Sequence, residues 1–249
     1  MKIIVLLGLI PYLTAGILVG VRLLLLARQT RQFPETAMGL AWLLFALCYP
    51  ATMAVRPLLG HDPTLLVVGV ALSAAGLATS NTLIYFFTRR VFRPGASWAL
   101  ALSCLGALCG LTVVTGTTLT ADPKALNLTW QAAATTNWSI AFGWMGIEAV
   151  LQWRMQARRR VIGLGDPVVA NRFGMWGFSC LVTSIGTLAL VVAPAVALDL
   201  TLEENLAGQA FAAVVGLIWS VVHVLTLMPP KRYMGWIRDR SLGASTGRP

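Results

Sequence analysis

Residues 206–228 read LAGQAFAAVVGLIWSVVHVLTLM and are followed at once by Pro229-Pro230 and then by Lys231-Arg232. The run holds no Asp, Glu, Lys or Arg. As an α-helix it would be about 35 Å long, whereas the hydrocarbon core of a bilayer is about 30 Å thick. The stretch therefore predicts a helix that crosses a membrane and ends at a basic boundary.

Six more apolar runs precede it, each bounded by charged or turn residues: 3–27, 37–59, 64–88, 97–119, 131–153 and 172–197. Charged residues make up only 11% of the 249-residue chain, whereas a soluble domain carries about 25%. Seven spans and short connections use up this length. We therefore predict one all-α, membrane-embedded seven-helix domain with a tail at 229–249. Pro11, Pro50 and Pro194 lie inside spans and mark candidate kinks.

The basic residues predict which way the bundle faces. Sixteen of the 19 Lys and Arg residues fall on one side of these spans, in 22–31, 89–93, 154–172 and 231–248. The other side holds only Lys2, Arg56 and Lys124. Because loops rich in Lys and Arg stay in the cytoplasm, the sequence predicts an outer N-terminus and a cytoplasmic C-terminus.

The formal net charge of +10 comes from residues beside apolar spans, which favours anionic lipid as the partner and argues against nucleic acid. Tyr233, Trp236 and Ile237 fall at helical spacing among cations, a pattern typical of a short amphipathic helix on the inner leaflet. The residues that we expect to contact lipid head groups are Arg158, Arg159, Arg160, Lys231 and Arg232.

Polar residues inside the spans are the first candidates for function, because a polar group in hydrocarbon costs free energy unless it is paired. Glu148, His223, Asn81 and Arg22 fall at similar depth and predict a polar layer in the cytoplasmic half. One interpretation is a proton- or ion-linked switch in which His223 and Glu148 share a proton. The other is a structural tie, with Glu148 paired to an arginine at the cytoplasmic side.

A second set of residues lies in or near the outer half of the predicted spans. Aromatic side chains with a few polar groups are typical of a small-molecule pocket, although ordinary helix packing uses the same residue types. The candidate pocket residues are Asn137, Trp138, Trp144, Gln209 and Trp219.

Known catalytic motifs and metal-ligand spacings are missing from the sequence. It contains no H-E-x-x-H, no G-x-S-x-G and no phosphate-binding loop. Cys48, Cys104, Cys109 and Cys180 all lie in apolar segments and predict buried thiols rather than ligands. We therefore expect no metal, and we favour a chain without catalysis of its own.

Seven spans with an outer N-terminus and a possible helix after the seventh resemble the topology of rhodopsins and G-protein-coupled receptors. In microbial rhodopsins, retinal is attached to a lysine of the seventh helix. Here Lys2, Lys124 and Lys231 all lie outside the predicted spans, so we expect neither retinal nor any other cofactor. The segment 26–35, LARQTRQFPE, is similar to one in uncharacterised bacterial seven-helix proteins, which implies a bacterial inner membrane.

The leading functional hypothesis is a receptor-like sensor or an accessory subunit that binds a small or lipophilic ligand in the outer half. It would act through a membrane or cytoplasmic protein partner, or as a homo-oligomer. The alternative is a proton- or ion-coupled transporter or channel that uses Glu148 and His223. A membrane lipid enzyme is a third hypothesis.

Overall fold

The structure, a computed structural model, describes residues 3–122, 127–202 and 204–246. Lys124 and Glu203 lie outside the described residues. Within them the chain folds into eight helices: α1 Ile3–Thr30, α2 Phe33–Leu59, α3 Pro63–Phe92, α4 Ser97–Leu119, α5 Leu128–Val161, α6 Pro167–Ala197, α7 Leu206–Leu227 and α8 Lys231–Thr246. The all-α prediction is confirmed.

Six of these helices, α1 to α4, α6 and α7, are long and apolar enough to cross a membrane. This finding confirms a multi-pass membrane protein. Helix α5 is longer than any of them, but its polar side chains and its Arg158-Arg159-Arg160 end lower its mean hydropathy. The sequence predicts a connection at 154–171, but residues 154–161 continue the helix, because Arg, Gln and Met are good helix formers.

Neighbouring helices in sequence are also neighbours in space. Helix α1 packs against α2 and α7, α3 packs against α2, α4 and α5, and α6 packs against α5 and α7. The contact between α7 and α1 closes the ring. The two backbones are close there. A Cβ on Gly8 of α1 would lie 2.3 Å from the Ala213 carbonyl oxygen of α7, and one on Gly216 of α7 would lie 2.5 Å from the Gly8 carbonyl oxygen. Small residues thus let these two helices touch at backbone distance.

Two pairs of glycines are spaced four residues apart in the sequence, Gly16 and Gly20 in α1 and Gly106 and Gly110 in α4, a spacing that allows helices to approach closely. Gly20 and Gly106 both face other helices of the same chain. A Cβ on Gly20 would lie 3.0 Å from the Gly39 carbonyl oxygen of α2. One on Gly106 would lie 2.4 Å from the ring of Tyr85 of α3. The patterns therefore serve contacts within this bundle.

The polarity of the molecule is the reverse of a soluble protein. Large aliphatic side chains are exposed on the helices of the ring, for example Leu72, Leu111 and Ile185 at 63–69%. Polar side chains line the interior instead: Ser73, Ser80, Asn81, Thr88, Ser103, Asn137, Ser139, Glu148, Thr183, Ser184, Gln209, His223 and Thr226 are buried. Such a surface suits hydrocarbon, and such an interior lets polar groups pair with one another.

Proline explains the irregular part of α6, a π-helical segment at Leu188–Val192. Pro194 has no N–H, so the carbonyl of Leu190 loses its usual helical partner four residues later. The helix widens, with the N–H of Ala193 donating to the carbonyl of Leu188. Asn205 Nδ2 donates to the freed Leu190 oxygen at 2.6 Å. A neighbouring side chain thus satisfies the group that proline releases, as a membrane helix requires.

Candidate functional site

Glu148, the carboxylate within α5, is paired with a residue just beyond the end of α3. Arg93 Nε donates to Glu148 Oε1 at 2.8 Å, and Trp144 Nε1 donates to the same oxygen at 3.3 Å. The Glu148 side chain is 5% exposed and that of Arg93 is 42% exposed. The hydrogen bond and the charge of Glu148 both raise the pKa of Arg93 above its usual value. The pair therefore ties the α3–α4 connection to α5.

This pairing also revises the expected depth of Glu148. Arg93 immediately follows α3, so Glu148 lies level with the end of that helix. Another 13 residues of α5 follow, which extend about 20 Å further along the axis. The carboxylate thus lies near one end of the bundle. The ion pair with Arg93 is the kind of contact that the structural tie requires, and a proton shared between Glu148 and His223 stays a prediction.

His223 lies elsewhere, in a cluster of rings that joins four helices. We call Tyr12, Trp42, Phe45, Tyr49, Trp138, Phe142, Trp219 and His223 the aromatic cluster. The centre of the His223 ring is 4.2 Å from that of Trp42, at 85°, and 5.0 Å from that of Trp219. Trp138 joins through Phe142 at 4.1 Å and Phe45 at 6.0 Å. These geometries are ordinary for interacting aromatic rings.

The aromatic cluster brings together residues that the sequence assigns to two different sites. The sequence places His223 in the polar layer, whereas it places Trp138 and Trp219 in the outer pocket. The chain of rings runs from Trp138, about 15 Å from the start of α5, to His223, about 6 Å from the end of α7. The cluster therefore runs through the bundle instead of occupying its outer half alone.

Several polar atoms of the aromatic cluster have no hydrogen-bond partner among the described residues. They are Nε1 of Trp42, Nε1 of Trp138 and both ring nitrogens of His223. The Trp219 carbonyl acts electrostatically on the His223 ring but does not meet hydrogen-bond geometry. Trp219 Nε1 does have a partner, Thr183 Oγ1, at 2.6 Å. Buried polar groups are nearly always paired, so these exceptions call for an explanation.

Asn137 forms a separate tie among three helices. It accepts from Tyr85 Oη at 3.0 Å through Oδ1 and donates to the Gly106 carbonyl at 3.0 Å through Nδ2. Gly106 makes room for the Tyr85 ring, as described above. Asn137 thus uses both its side-chain oxygen and its side-chain nitrogen to link α3, α4 and α5.

The remaining predicted site residues lie apart. Trp144 packs near Tyr85 and Trp98, with ring centres at 6.2 Å and 5.7 Å. Gln209 is 1% exposed and donates to the Leu202 carbonyl at 3.0 Å. Arg22 is exposed on α1, and Asn81 is buried in α3, where its Oδ1 has no partner in the described part of the chain.

Glu148, His223, Asn81 and Arg22 share no hydrogen bond or ion pair with one another in the described ranges. A connected polar layer and an ion path through Glu148 and His223 therefore stay predictions. The five basic residues expected to contact lipid are all exposed, at the end of α5 and the start of α8. Among residues the structure describes, no group of three His, Cys, Asp or Glu side chains could hold a metal.

The sequence analysis missed Trp42, Phe45 and Tyr49. They recur at positions i, i+3 and i+7 of α2, so they share one helical face, and this spacing could have identified them. Phe142 follows Trp138 by four residues, so it lies on the same face of α5 and could also have been identified, whereas Tyr12 carried no comparable signal.

Comparison with known proteins adds no relative to this description. The chain matches no protein-family model, no curated protein and no solved structure. The functional assignment therefore depends on the geometry of the bundle itself, which is that of a multi-pass helical membrane protein.

Proposed function

We propose that this chain is a seven-helix integral membrane protein of the bacterial inner membrane that acts as a receptor-like or accessory protein without catalysis of its own. Its N-terminus lies outside and its C-terminus in the cytoplasm. A small or lipophilic ligand binds against the aromatic cluster. The observation that carries the proposal is that the indole N–H groups of Trp42 and Trp138 in that cluster have no partner among the described residues.

The seventh crossing is α5, and the distribution of its side chains supports it. Its polar residues Asn137, Ser139 and Glu148 are buried among the other helices. The face turned outward carries Ile140, Ile147 and Leu151, which are exposed. Low mean hydropathy in α5 thus reflects polar groups sheltered inside the bundle, while its outer face suits lipid.

The chemistry of the ligand follows from the donors. Two indole N–H groups, from Trp42 and Trp138, can donate to carbonyl, ether or hydroxyl oxygens of a ligand, and flat rings favour an apolar, planar partner. The rings pack directly on one another, so the ligand enters by separating them. That movement would shift α2 and α5 against α7. Ligand binding would thereby displace the basic ends of these helices.

The test is a thermal-stability screen of the purified chain in detergent against lipophilic compounds that carry such oxygens. We expect a ligand that raises the melting temperature of the wild-type protein. The increase should shrink in Trp42→Phe, which keeps a ring but removes an N–H that has no partner among the described residues. Trp138→Ala should abolish the increase, whereas Phe33→Ala, an exposed aromatic outside the cluster, should leave it unchanged.

A ligand-induced increase that is equal in wild type, Trp42→Phe and Trp138→Ala would refute the proposed site.

Ion flux in liposomes tests the transporter alternative separately. Flux that Glu148→Gln abolishes would favour transport over a receptor-like role.

An accessory role predicts a protein partner. Purification from native membranes in mild detergent should then yield a stoichiometric second protein or a homo-oligomer. A monomer without a partner would be compatible with the receptor-like role and would contradict the accessory role.

A further inference from the structure

A groove separates α8 from the adjoining ends of α5 and α6. Its volume is about 220 Å³, and it is lined by Trp153, Arg160, Pro167, Ala170, Asn171, Trp236 and Ile237. Among the described residues, no Asp or Glu side chain lines it. It is distinct from the aromatic cluster, which lies within the ring of helices.

Helix α8 is held over this groove by specific contacts. Asn171 Nδ2 of α6 donates to Tyr233 Oη, and Tyr233 Oη in turn lies 3.4 Å from Met175 Sδ. Ile237 is buried at 8% exposure. The groove is therefore a formed feature of the fold, bounded by a docked helix.

Arg160 is positioned by the turn that follows α5. Gly163 adopts a φ of 75°, and Gly165 returns so close that a Cβ there would lie 2.6 Å from Arg160 Cγ. The stem of Arg160 thus packs against the turn, and Arg160 is one of the residues that line the groove. Arg158 and Arg159 on the same helical turn are exposed but do not line it.

The groove opens beside an aromatic surface that faces the bilayer. Trp153 contacts Phe178 with ring centres 5.5 Å apart, and Phe178 is 51% exposed on α6. Trp236 of α8 is 54% exposed on the other wall. Tryptophan prefers the boundary between head groups and hydrocarbon, so this pair places the groove at that level.

Acidic side chains near the groove do not offset its charge. Asp166 caps α6, where its carboxylate accepts from the N–H of Val168 at 2.7 Å. Asp239 is exposed on α8. The cations Arg154, Arg158, Arg159, Lys231 and Arg232 are exposed around the same helix ends.

We propose that this groove binds the phosphodiester head group of one anionic phospholipid. Arg160 donates to the phosphate, Trp153 and Trp236 flank the glycerol region, and one acyl chain follows Trp153 and Phe178 into the bilayer. A guanidinium matches phosphate geometry through two parallel donors, and basic pockets beside membrane helices suit such head groups. The site does not depend on a ligand at the aromatic cluster.

The test measures lipid binding to the full chain by native mass spectrometry in detergent, with phosphatidylglycerol and phosphatidylcholine added at equal concentration. We expect one phosphatidylglycerol to bind in preference to phosphatidylcholine. Arg160→Gln should weaken its binding about tenfold, the size of a lost charge-assisted hydrogen bond. The matched control Arg154→Gln removes the same charge from an exposed cation of α5 that does not line the groove, and it should change binding less than about twofold.

Two further arms keep the result decisive. Arg160→Lys, which keeps the charge but loses the paired donors, should fall between wild type and Arg160→Gln, and it serves as the main variant if Arg160→Gln does not fold. Glycerol phosphate in solution should not displace the lipid. Equal losses in Arg160→Gln and Arg154→Gln would indicate diffuse attraction only, and displacement by glycerol phosphate would indicate a site for a soluble phosphate. Either result overturns the proposal.

Discussion

Glu148 shows how one charge can be kept inside a largely apolar bundle. A lone carboxylate in hydrocarbon is costly, but Glu148 lies near the end of α3, and its Oε1 accepts hydrogen bonds from both Arg93 and Trp144. Arg93 is half-exposed, so it keeps part of its hydration while it neutralises the buried partner. The free-energy cost of desolvation thus falls mainly on Glu148, and the pairing with Arg93 offsets it.

This asymmetry predicts an order of stabilities. Arg93→Gln leaves a buried carboxylate without its cation, so it should lower the melting temperature more than Glu148→Gln does. The double variant Arg93→Gln/Glu148→Gln should be more stable than Arg93→Gln alone, because it removes the uncompensated charge. Thermal unfolding in detergent at neutral pH measures all three.

The control is Arg90→Gln, which removes an exposed cation from the same end of α3. It should leave the melting temperature nearly unchanged, both in the wild-type chain and in Glu148→Gln. A double variant less stable than Arg93→Gln would mean that the ion pair does not govern this site.

At the scale of helices, the side chain of Asn205 makes two hydrogen bonds, one to α7 and one to α6. Its Oδ1 accepts from the N–H of Gly208 at 2.9 Å and so caps α7. Its Nδ2 donates to the Leu190 carbonyl that Pro194 leaves without a helical partner. The second hydrogen bond exists only because proline is present, so the two residues should be energetically coupled.

Asn205→Ala should therefore destabilise the protein by about 2 kcal/mol, roughly 1 for the lost cap and 1 for the unsatisfied carbonyl. In a Pro194→Ala background the loss should fall to about 1 kcal/mol, because the substituted alanine supplies an N–H to the Leu190 carbonyl. The free energy of unfolding in mixed micelles checks this difference.

Asn127→Ala provides a matched control. Asn127 caps α5 by accepting from the N–H of Trp130, but within the described residues it makes no such bond to α6. Its effect should be the same in the wild-type and Pro194→Ala backgrounds. If the Asn205→Ala loss were also the same in both backgrounds, proline would not be the cause of the π-helical segment.

For the whole molecule, the sequence predicted the long helices well because apolar runs of membrane length have few other uses. It located the ends of α5 poorly, since Arg158-Arg159-Arg160 marks a membrane boundary without ending a helix. The partner of Glu148 depends on which arginine the packing of α3 against α5 brings near. The aromatic cluster likewise depends on how α1, α2, α5 and α7 face one another, and the period of each helix does not specify that.

The number of crossings decides the topology, and α5 is the helix in question. If α5 crosses, the α5–α6 connection at 162–166 lies in the cytoplasm with the α3–α4 connection. If α5 stays on the outer side, that connection is external and the C-terminus lies on the same side as the N-terminus. The arginines at 154–160 favour the first arrangement, because cations near helix ends are retained in the cytoplasm.

Single cysteines in a variant without Cys48, Cys104, Cys109 and Cys180 distinguish the two arrangements in intact cells. A membrane-impermeant maleimide should label His61→Cys, in the α2–α3 connection, and should not label Gly95→Cys, in the α3–α4 connection, until the cells are opened. Leu164→Cys is the informative variant: seven crossings predict protection like that of Gly95→Cys. Labelling like that of His61→Cys would reduce the bundle to six crossings. It would also move Arg160 and the groove beside α8 to the outer leaflet, where positive charges are disfavoured.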